Sequence, residues 1–461
     1  MKLLRFLPRF QKAYRELETL AARERWSRQE IDAYQLDRLN AVWSHAITYV
    51  PHYRELRLRS GLSPRFSSLA EFQASVPVLP KAAVRDHPRA FLSERPWRGQ
   101  WRRTGGSTGT PLSVYWAQDA HLEALRSKYR FYAAWGLDIF ERTAFLWGHS
   151  ASFAPGMTGL VSRFSQPLED RLRNRIRLSA YRLGRDDLRD YLRRIDAFRP
   201  AVLYGYSRAF FLLTFEAEAT AFRCDALKLF TLTGEPALPH IVQTIEQWFG
   251  VPAVVEYGSI ECNIIATERP DRTLRVHEDR LLAETLPRDD GRFDIVLTVL
   301  NNPSFPLLRF AIDDVTDVAL ERPASGFAIL KNVAGRNNDF IVSRSGQYLH
   351  SARFDALFKY SGAAIRRFRV HQSADGALSV WLELHDRADS FDRVGLARKI
   401  EDLVEGYPVN VEIAESIPQT PSGKHRLVVS EFPDLAVTQH AGERRAASWR
   451  THGPGARTLG N

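Results

Sequence analysis

The chain of 461 residues has only two cysteines, Cys224 and Cys262, too few for a disulfide framework or a cysteine-rich zinc site. It also lacks any apolar run of about eighteen residues, the length that a transmembrane helix needs. The segment from Met1 to Arg9 is apolar but interrupted by arginine and proline, and it has no small-residue cleavage site. We therefore predict a protein of the reducing cytoplasm, without a membrane span.

Several catalytic signatures are missing as well. No GxSxG elbow is present, so the attacking serine of an α/β-hydrolase is absent. Neither a GxGxxG dinucleotide fingerprint nor a GxxxxGK[ST] phosphate loop occurs. Zinc-finger, RNA-recognition and basic-zipper patterns are also absent, so only the charge of the chain favours nucleic acid.

That charge is strongly positive, +10 with a sequence pI of about 9.6. The densest stretch of arginines runs from Arg171 to Arg177. Acidic residues, among them Glu169, Asp170 and Asp186, lie close to it, and such mixed charge is typical of a solvated helix face. We therefore predict an exposed helix here and no nucleic-acid partner.

The rest of the composition is that of a globular protein, 44% hydrophobic and 26% charged, with enough apolar residues for a large core and a smaller second unit. In the first part of the chain, the apolar spacing from Leu36 to Tyr49 predicts a helix that Pro51 ends. The stretch 119–135 predicts a second amphipathic helix, which Gly136 ends.

Short apolar runs of strand type begin near residue 143 and alternate with helical stretches. The predicted strands are 143–148, 201–204, 229–233 and 251–256, and the predicted helices are 208–222 and 239–249. Buried strands that alternate with helices are typical of a parallel α/β sheet.

Beyond about residue 270 the pattern favours hairpins. The predicted strands are 293–299, 307–312, 368–371, 378–384 and 409–413, with a turn at Asp375-Gly376 and a helix over 392–405. We predict an α/β protein whose large N-terminal domain (1–335) has mixed, partly parallel sheets flanked by helices. A small α+β C-terminal domain (336–433) is joined to it by a hinge, and the polar tail (434–461) has the composition of a disordered segment.

A glycine-rich loop is the first segment with chemical character. It consists of Thr104, Gly105, Gly106, Ser107, Thr108, Gly109, Thr110 and Pro111. Glycines let backbone amides turn towards an anion, and the hydroxyls add donors to phosphate oxygens. On its own such a loop is more often a flexible connector, so its meaning depends on the other motifs.

Four further motifs follow the loop in order. They are Glu256–Glu261 (EYGSIE), Pro306–Asp314 (PLLRFAIDD), Gly335–Asp339 (GRNND) and Pro418–Lys424 (PQTPSGK). Together with the loop they resemble the adenylate-forming superfamily of acyl-CoA synthetases, adenylation domains and luciferases. The short chain, the segment Tyr49–Tyr53 (YVPHY) and the PLLR sequence make it most similar to the phenylacetate–coenzyme A ligase family and its capsule-biosynthesis relatives. The resemblance spans roughly residues 36 to 430.

The resemblance implies two catalytic residues. Lys424 matches the lysine that reaches the α-phosphate and the substrate carboxylate, where a cation stabilises the charge of the transition state. Glu261 matches the glutamate that binds Mg²⁺ beside the ATP phosphates. Without the flanking motifs these residues are interpreted as an exposed lysine and an ion-paired glutamate.

The resemblance also implies a nucleotide site. Tyr257 matches the residue that stacks on adenine, and Asp314 the one that accepts hydrogen bonds from the ribose, with Asp313 as the alternative in register. Arg336 matches a ribose or phosphate contact. The segment formed by Gly234, Glu235 and Pro236 matches the lining of the adenine pocket, at a strand end where open α/β sheets bind ligands. The list of expected nucleotide contacts is completed by the glycine loop, Glu256, Gly258 and Ser259.

Two positions depart from the pattern of the family. Ile260 replaces the usual threonine or serine, whose hydroxyl contacts the α-phosphate, so one hydrogen bond is lost. Asn338 stands at the hinge position, which is often aspartate. These changes keep a different hypothesis open, that of a catalytically degenerate nucleotide-binding partner protein.

The expected reaction is ATP- and Mg²⁺-dependent conversion of a small carboxylic acid to acyl-AMP, followed by acyl transfer. Coenzyme A is the leading acceptor, and an amine or a carrier-protein thiol is the alternative. Aromatic residues near strand ends suggest an aryl acid and a pocket lined by His149, Tyr204, Tyr206 and Phe210, although such residues are more often part of the core. By resemblance, a homodimer is plausible.

Overall fold

The computed structural model describes residues 8–103, 112–148, 170–171, 173–180, 182–235, 237, 239–289, 291–331, 333–334, 340–345, 348–350, 354, 357–358, 365–384, 391–414, 417 and 428–431. Within them, no helix is both long enough and apolar enough to cross a membrane.

The chain begins with a helical segment. Its helices are α1 (Pro8–Arg23), α2 (Arg28–Tyr49), α3 (Pro51–Ser60), α4 (Leu69–Ser75) and α5 (Lys81–Asp86), followed by a 3-10 helix (Pro88–Phe91). Helix α2 starts earlier than its apolar pattern predicts because Ser27 and Glu30 form a reciprocal capping box at its N-terminus. It ends before Pro51, as predicted.

A hairpin and a long helix follow. Strands β1 (Gly99–Arg103) and β2 (Ser113–Ala117) pair antiparallel, with Arg103 opposite Ser113. Helix α6 (Gln118–Ala134) starts directly after β2 and ends before Gly136, which confirms the predicted helix. Phe131 and Tyr132 of α6 pack on Val202 and Val254 of the sheet described next.

The central element is an eight-stranded sheet. Its strands are β3 (Thr143–Trp147), β4 (Arg175–Ser179), β5 (Val202–Gly205), β6 (Leu229–Thr233), β7 (Ala253–Ser259), β8 (Asn263–Glu268), β9 (Leu274–Val276) and β13 (Ile329–Leu330). Their order is β13-β9-β8-β7-β6-β5-β3-β4. The neighbouring strands β4, β3, β5, β6 and β7 run parallel. From β7 through β8 and β9 to β13, each strand is antiparallel to the next.

Helices connect the parallel strands, and two of the three described helices were predicted, at 208–222 and 239–249. They are α7 (Arg185–Phe198), α8 (Ser207–Ala219) and α9 (Pro239–Phe249). The carboxyl ends of β3, β5, β6 and β7 therefore meet at one edge of the sheet, which is the edge where α/β sheets bind ligands.

The arginine-rich stretch corrects one prediction. Residues 175–179 form the edge strand β4 and not a helix face. Ile176 packs on the core and Leu178 is fully buried, so apolar residues alternate with Arg175 and Arg177 at the period of a strand. The acidic neighbour has the expected effect, because Asp170 pairs with Arg175 at 2.6 Å and with Arg177 at 3.0 Å.

A second sheet contains β10 (Leu281–Pro287), β11 (Phe293–Val299), β12 (Phe310–Thr316) and β14 (Val333–Ala334), paired antiparallel in that order. The hairpin of β11 and β12 confirms the prediction, although β12 begins at Phe310 and not at Leu307. Arg309, the residue before Phe310, explains why β12 begins later than predicted. Arg309 has a left-handed backbone (φ +49°), and its buried guanidinium pairs with Glu284 at 2.9 Å.

The last part of the chain is α+β. Its elements are β15 (Phe340–Val342), β16 (Tyr348–His350), β17 (Ile365–Gln372), β18 (Leu378–Leu384), α10 (Arg393–Leu403), β19 (Val409–Ile413) and β20 (Val428–Ser430). One sheet has the order β19-β18-β17-β20, and β17 and β18 form the predicted hairpin. Helix α10 and strand β19 also agree with prediction. The exact domain boundaries stay a prediction.

Candidate active site

Two residues from separate motifs meet at the end of the large sheet. Tyr257 lies near the end of β7, and its hydroxyl donates a 2.8 Å hydrogen bond to Oδ2 of Asp314 in β12. Burial and the Asp314 carboxylate raise the pKa of Tyr257 well above its usual value. The phenol is therefore protonated at neutral pH, and it can act as a donor.

A bulge in β12 explains why Asp314 reaches this position. Opposite β11, the register jumps from the pair Val296–Ala311 to the pair Asp294–Val315, so β12 has extra residues at 312–314. Asp313 is exposed and has a left-handed backbone (φ +64°). Bulges re-aim side chains next to sites, and this one brings Asp314 rather than Asp313 to Tyr257.

Gly258 and Ser259 shape the turn after Tyr257. A Cβ atom on Gly258 would lie 2.7 Å from the carbonyl oxygen of Asn263, so the close approach of β7 and β8 requires glycine there. The Ser259 hydroxyl accepts a 3.0 Å hydrogen bond from the backbone N–H of Cys262. This bond closes the turn that carries Ile260 and Glu261.

Glu261 is buried in that turn and is paired with a lysine that sequence reasoning missed. Nζ of Lys81, the first residue of α5, lies 2.7 Å from Oε1 of Glu261. The side chains are 15% and 3% exposed, respectively. The signal in the sequence was weak, because a lysine after Leu79-Pro80 at a helix start has no pattern that points to a distant turn.

Ile260 lies at the same turn with 40% of its surface exposed. Its carbonyl oxygen accepts a 2.9 Å hydrogen bond from the indole N–H of Trp116 in β2. This contact connects the Glu261 turn to the hairpin of β1 and β2, whose paired ends Arg103 and Ser113 flank the glycine-rich loop in the chain.

Glu256 faces the side of the sheet that packs on α6. It is 4% exposed and accepts a 2.6 Å hydrogen bond from the hydroxyl of Tyr204 in β5. Nζ of Lys128 in α6 lies 3.9 Å from Oε2 of Glu256 and 3.3 Å from the centroid of the Tyr204 ring. Lys128 thus contacts two predicted site residues, and sequence reasoning missed it because it looked like an ordinary charged position of an amphipathic helix.

Gly234 and Glu235 follow β6. Gly234 has a φ of +77°, and a Cβ atom there would lie 2.7 Å from the ring of Tyr206, so glycine is required by both backbone and space. Oε2 of Glu235 accepts hydrogen bonds from the hydroxyl of Ser207 (3.3 Å) and the backbone N–H of Arg208 (3.2 Å). Glu235 thus caps the positive end of helix α8.

The predicted aromatic lining divides into two groups. Tyr204 and Tyr206 stack on Trp147 with ring centroids 5.8 Å and 4.3 Å away, and this stack lies at the carboxyl ends of β3 and β5. Phe210 is fully buried and packs edge-on against Phe230, 5.3 Å away, in the hydrophobic core. Its position therefore does not support a pocket role.

The remaining predicted site residues lie outside the described part of the chain. They are the glycine-rich loop from Thr104 to Thr110, His149, Pro236, Arg336, the hinge residue Asn338 and the catalytic candidate Lys424. Their roles stay predictions.

The buried carboxylate of Glu261 is the candidate ligand for magnesium. Among the described residues, no group of three or more His, Cys, Asp or Glu side chains could hold a metal ion by itself. Mg²⁺ is commonly bound by one or two carboxylates together with substrate phosphates, and the buried Glu261 suits that mode. Because Lys81 lies against Oε1, the carboxylate would be shared between the lysine and the ion.

The chain is similar to two proteins over most of its length. It is 21% identical to Protein CapK of Staphylococcus aureus over 398 residues, 82% of this chain and 85% of that protein. It is 24% identical to phenylacetate-coenzyme A ligase of Aromatoleum evansii over 454 residues, 89% of this chain and 96% of that protein. No protein-family model matches the chain.

The fold is similar to that of a solved structure, 2-hydroxyisobutyryl-CoA ligase in complex with 2-HIB-AMP and CoA. The TM-score is 0.59 with 20% sequence identity, and the match covers 92% of this chain and 94% of that one. The predicted fold class is thereby confirmed. The similarity to Protein CapK and to phenylacetate-coenzyme A ligase supports the predicted family.

Proposed function

We propose that the chain is a member of the adenylate-forming superfamily, in the family of phenylacetate–coenzyme A ligase and its capsule-biosynthesis relatives, and that it activates a small carboxylic acid with ATP. The products of the first step are acyl-AMP and pyrophosphate. In the second step a thiol takes the acyl group from the adenylate, and AMP leaves.

The hydrogen bond between Tyr257 and Asp314 carries this proposal. The two residues come from different motifs and different sheets, yet the bulge in β12 brings them together. An aromatic ring that stacks on the base, beside a carboxylate that binds the ribose, is an arrangement that suits a nucleoside. Asp314 accepts hydrogen bonds from the ribose hydroxyls, and the ring of Tyr257 stacks on adenine.

The phosphates of ATP extend from this point towards the Glu261 turn. The contact between Trp116 and Ile260 holds that turn against the strand that follows the glycine-rich loop, so backbone donors of the loop and the Lys81 ammonium can converge on the phosphates. A magnesium ion on Glu261 would neutralise charge on the leaving pyrophosphate. Lys424 is proposed to stabilise the charge on the α-phosphate as the substrate carboxylate attacks.

Coenzyme A is the proposed acceptor, because the similarity to phenylacetate-coenzyme A ligase extends over 89% of the chain. Transfer to an amine or to a carrier-protein thiol is the second candidate. A product assay separates the three, with acyl-AMP formed in place and then offered each acceptor. Formation of an amide without any thioester would replace coenzyme A as the acceptor.

Acid-dependent exchange of pyrophosphate into ATP tests the first step directly. Exchange is expected with at least one acid of a mixed aryl, alkyl and amino-acid panel, and it should be lost in Lys424→Ala. The matched control is Lys399→Ala, an exposed lysine of α10, which should keep the exchange of the native protein. Absence of exchange with every acid would favour the degenerate nucleotide-binding partner instead.

A further inference from the structure

Lys128, Glu256 and Tyr204 form a charged group beside the proposed nucleotide site. We infer that the acid activated here carries an uncharged oxygen substituent, a hydroxyl or a carbonyl, which accepts a hydrogen bond from the Lys128 ammonium. This inference rests on the proposed function, since it concerns the acid pocket of the same site.

The position of the group connects it to the reaction. Glu256 directly precedes Tyr257 in β7, and their side chains lie on opposite faces of the sheet. Phe145, Trp147 and Tyr204 share the face of Glu256, because Phe145 pairs with Tyr204 in register. Trp147 and Tyr204 lie at or near the carboxyl ends of β3 and β5, and Glu256 lies opposite Thr233, the last residue of β6. Lys128 reaches them from helix α6.

The Lys128 ammonium has attractive neighbours but no hydrogen-bond acceptor among the described residues. Its nearest carboxylate oxygen, Oε2 of Glu256, is 3.9 Å away, beyond hydrogen-bond distance. The rings of Tyr204 (3.3 Å) and Phe145 (5.6 Å) surround it as cation–π partners. The side chain keeps 13% of its surface exposed, so a ligand atom can approach it.

The charges of the pair select the substituent. An ammonium on the acid would meet Lys128, and a second carboxylate would meet Glu256, so either charge is opposed by one member of the pair. A purely apolar acid would bury the ammonium without any acceptor, which costs binding energy. An uncharged oxygen satisfies the ammonium while Glu256 continues to balance its charge.

Burial also affects the protonation of Lys128. Desolvation lowers the pKa of Lys128, and the Glu256 carboxylate opposes that shift. Tyr204 is kept protonated, since burial and Glu256 raise its pKa well above the usual value. Tyr204 therefore donates to Glu256 and orients it, which makes Tyr204 a positioning residue.

The test compares acids that differ by one oxygen. Exchange of pyrophosphate is measured for phenylacetate against 4-hydroxyphenylacetate, and for butyrate against 3-hydroxybutyrate and acetoacetate. For at least one set, the full-length protein should prefer the oxygen-bearing acid by on the order of 100-fold in kcat/KM, the size expected for one hydrogen bond to a charged group. The hydroxy and oxo members distinguish the two forms of the substituent.

Variants test whether Lys128 and Glu256 cause the preference for oxygen-bearing acids. Lys128→Met should reduce the ratio between oxygen-bearing and unsubstituted acids to a few-fold, and Lys128→Gln serves if the first variant does not fold. Glu256→Gln leaves the ammonium unbalanced and should shift the preference towards a dicarboxylic acid such as glutarate. Arg126→Ala, on an outward part of the same helix (44% exposed), should leave all ratios unchanged.

The possible failures are distinct. The inference is overturned, while the proposed function stands, if acids are activated but the paired acids react equally in the native protein. The same holds if Lys128→Met and Lys128→Gln keep the ratio of the native protein. If no acid supports exchange, the proposed function fails, and the inference fails with it.

Discussion

Lys128 and Arg130 lie two residues apart on helix α6, and their charges are satisfied very differently. The Arg130 guanidinium donates to both oxygens of Asp279, at 2.6 Å and 3.1 Å, and to Nδ1 of His277 at 2.6 Å. Lys128 reaches only to within 3.9 Å of Glu256. The comparison teaches that a buried charge with several hydrogen bonds belongs to the scaffold, whereas one without any beside a strand end suits a ligand.

Removal of the scaffold charge should have the largest effect on stability. Arg130→Met leaves the Asp279 carboxylate buried without its main partner, so the free energy of unfolding should fall by about 3–5 kcal/mol. Urea unfolding measures this change. Lys128→Met should cost clearly less, because no hydrogen bond is lost, and equal losses in the two variants would contradict the comparison.

The buried group of Arg130, His277 and Asp279 should make the stability of the protein sensitive to acid. Burial, together with nearby arginines, lowers the pKa of His277 well below its usual 6.5, so the folded state keeps this histidine neutral while the unfolded state takes up a proton. The histidine's contribution is present above pH 6.5 and is lost as the pH falls towards the lower folded pKa, with a slope of up to about 1.4 kcal/mol per pH unit.

Unfolding measured between pH 7 and pH 5 checks this dependence. In His277→Gln the slope should be smaller, because the group that titrates is gone. The comparison with the exposed His87→Gln provides the control, which should keep the slope of the native protein. An unchanged slope in His277→Gln would show that another group causes the acid sensitivity.

A smaller effect is expected at the nucleotide site. Tyr257→Phe removes the hydrogen bond to Asp314 but keeps the ring, so KM for ATP should rise by roughly 3–10-fold, as for the loss of one ordinary hydrogen bond. Steady-state kinetics with varied ATP measure it. Tyr191→Phe loses a hydrogen bond to the carbonyl of Ser179 instead and should leave KM for ATP as it is.

The smallest effect is expected for a fully exposed pair. Arg54 and Glu94 are 2.9 Å apart with side chains 44% and 52% exposed, and solvent screens such pairs. Arg54→Ala should therefore leave the thermal midpoint unchanged within error. A clear drop would mean that solvent-exposed pairs also belong to the scaffold, and it would weaken the distinction drawn from Lys128 and Arg130.

Much of the fold was predictable from local patterns. Strand 229–233 and helix 239–249 have their predicted bounds, because a run of buried residues or an amphipathic stretch is visible along the chain. The arginine-rich stretch was misread as a helix because its alternation is short and its charge dominated the pattern. Only the pairing of β4 with β3 determines that it is a strand.

Parts of the candidate site were also predictable, since its motifs are contiguous. The EYGSIE and PLLRFAIDD segments contain Tyr257 and Asp314 in recognisable surroundings. The choice between Asp313 and Asp314 was open, because a bulge depends on the partner strand and not on the residues that form it. Lys81 and Lys128 carry no motif, so their partners were invisible.

The sequence by itself determined the resemblance to a family, the alternation of strands and helices, and the order of the motifs, because these depend on residues that are neighbours in the chain. The tertiary structure alone decided which distant groups meet. Lys81 and Glu261 are 180 residues apart in the chain, and Lys128 and Glu256 are 128 residues apart. Such contacts follow from sheet order and from the docking of α5 and α6, and a one-dimensional pattern does not contain these distances.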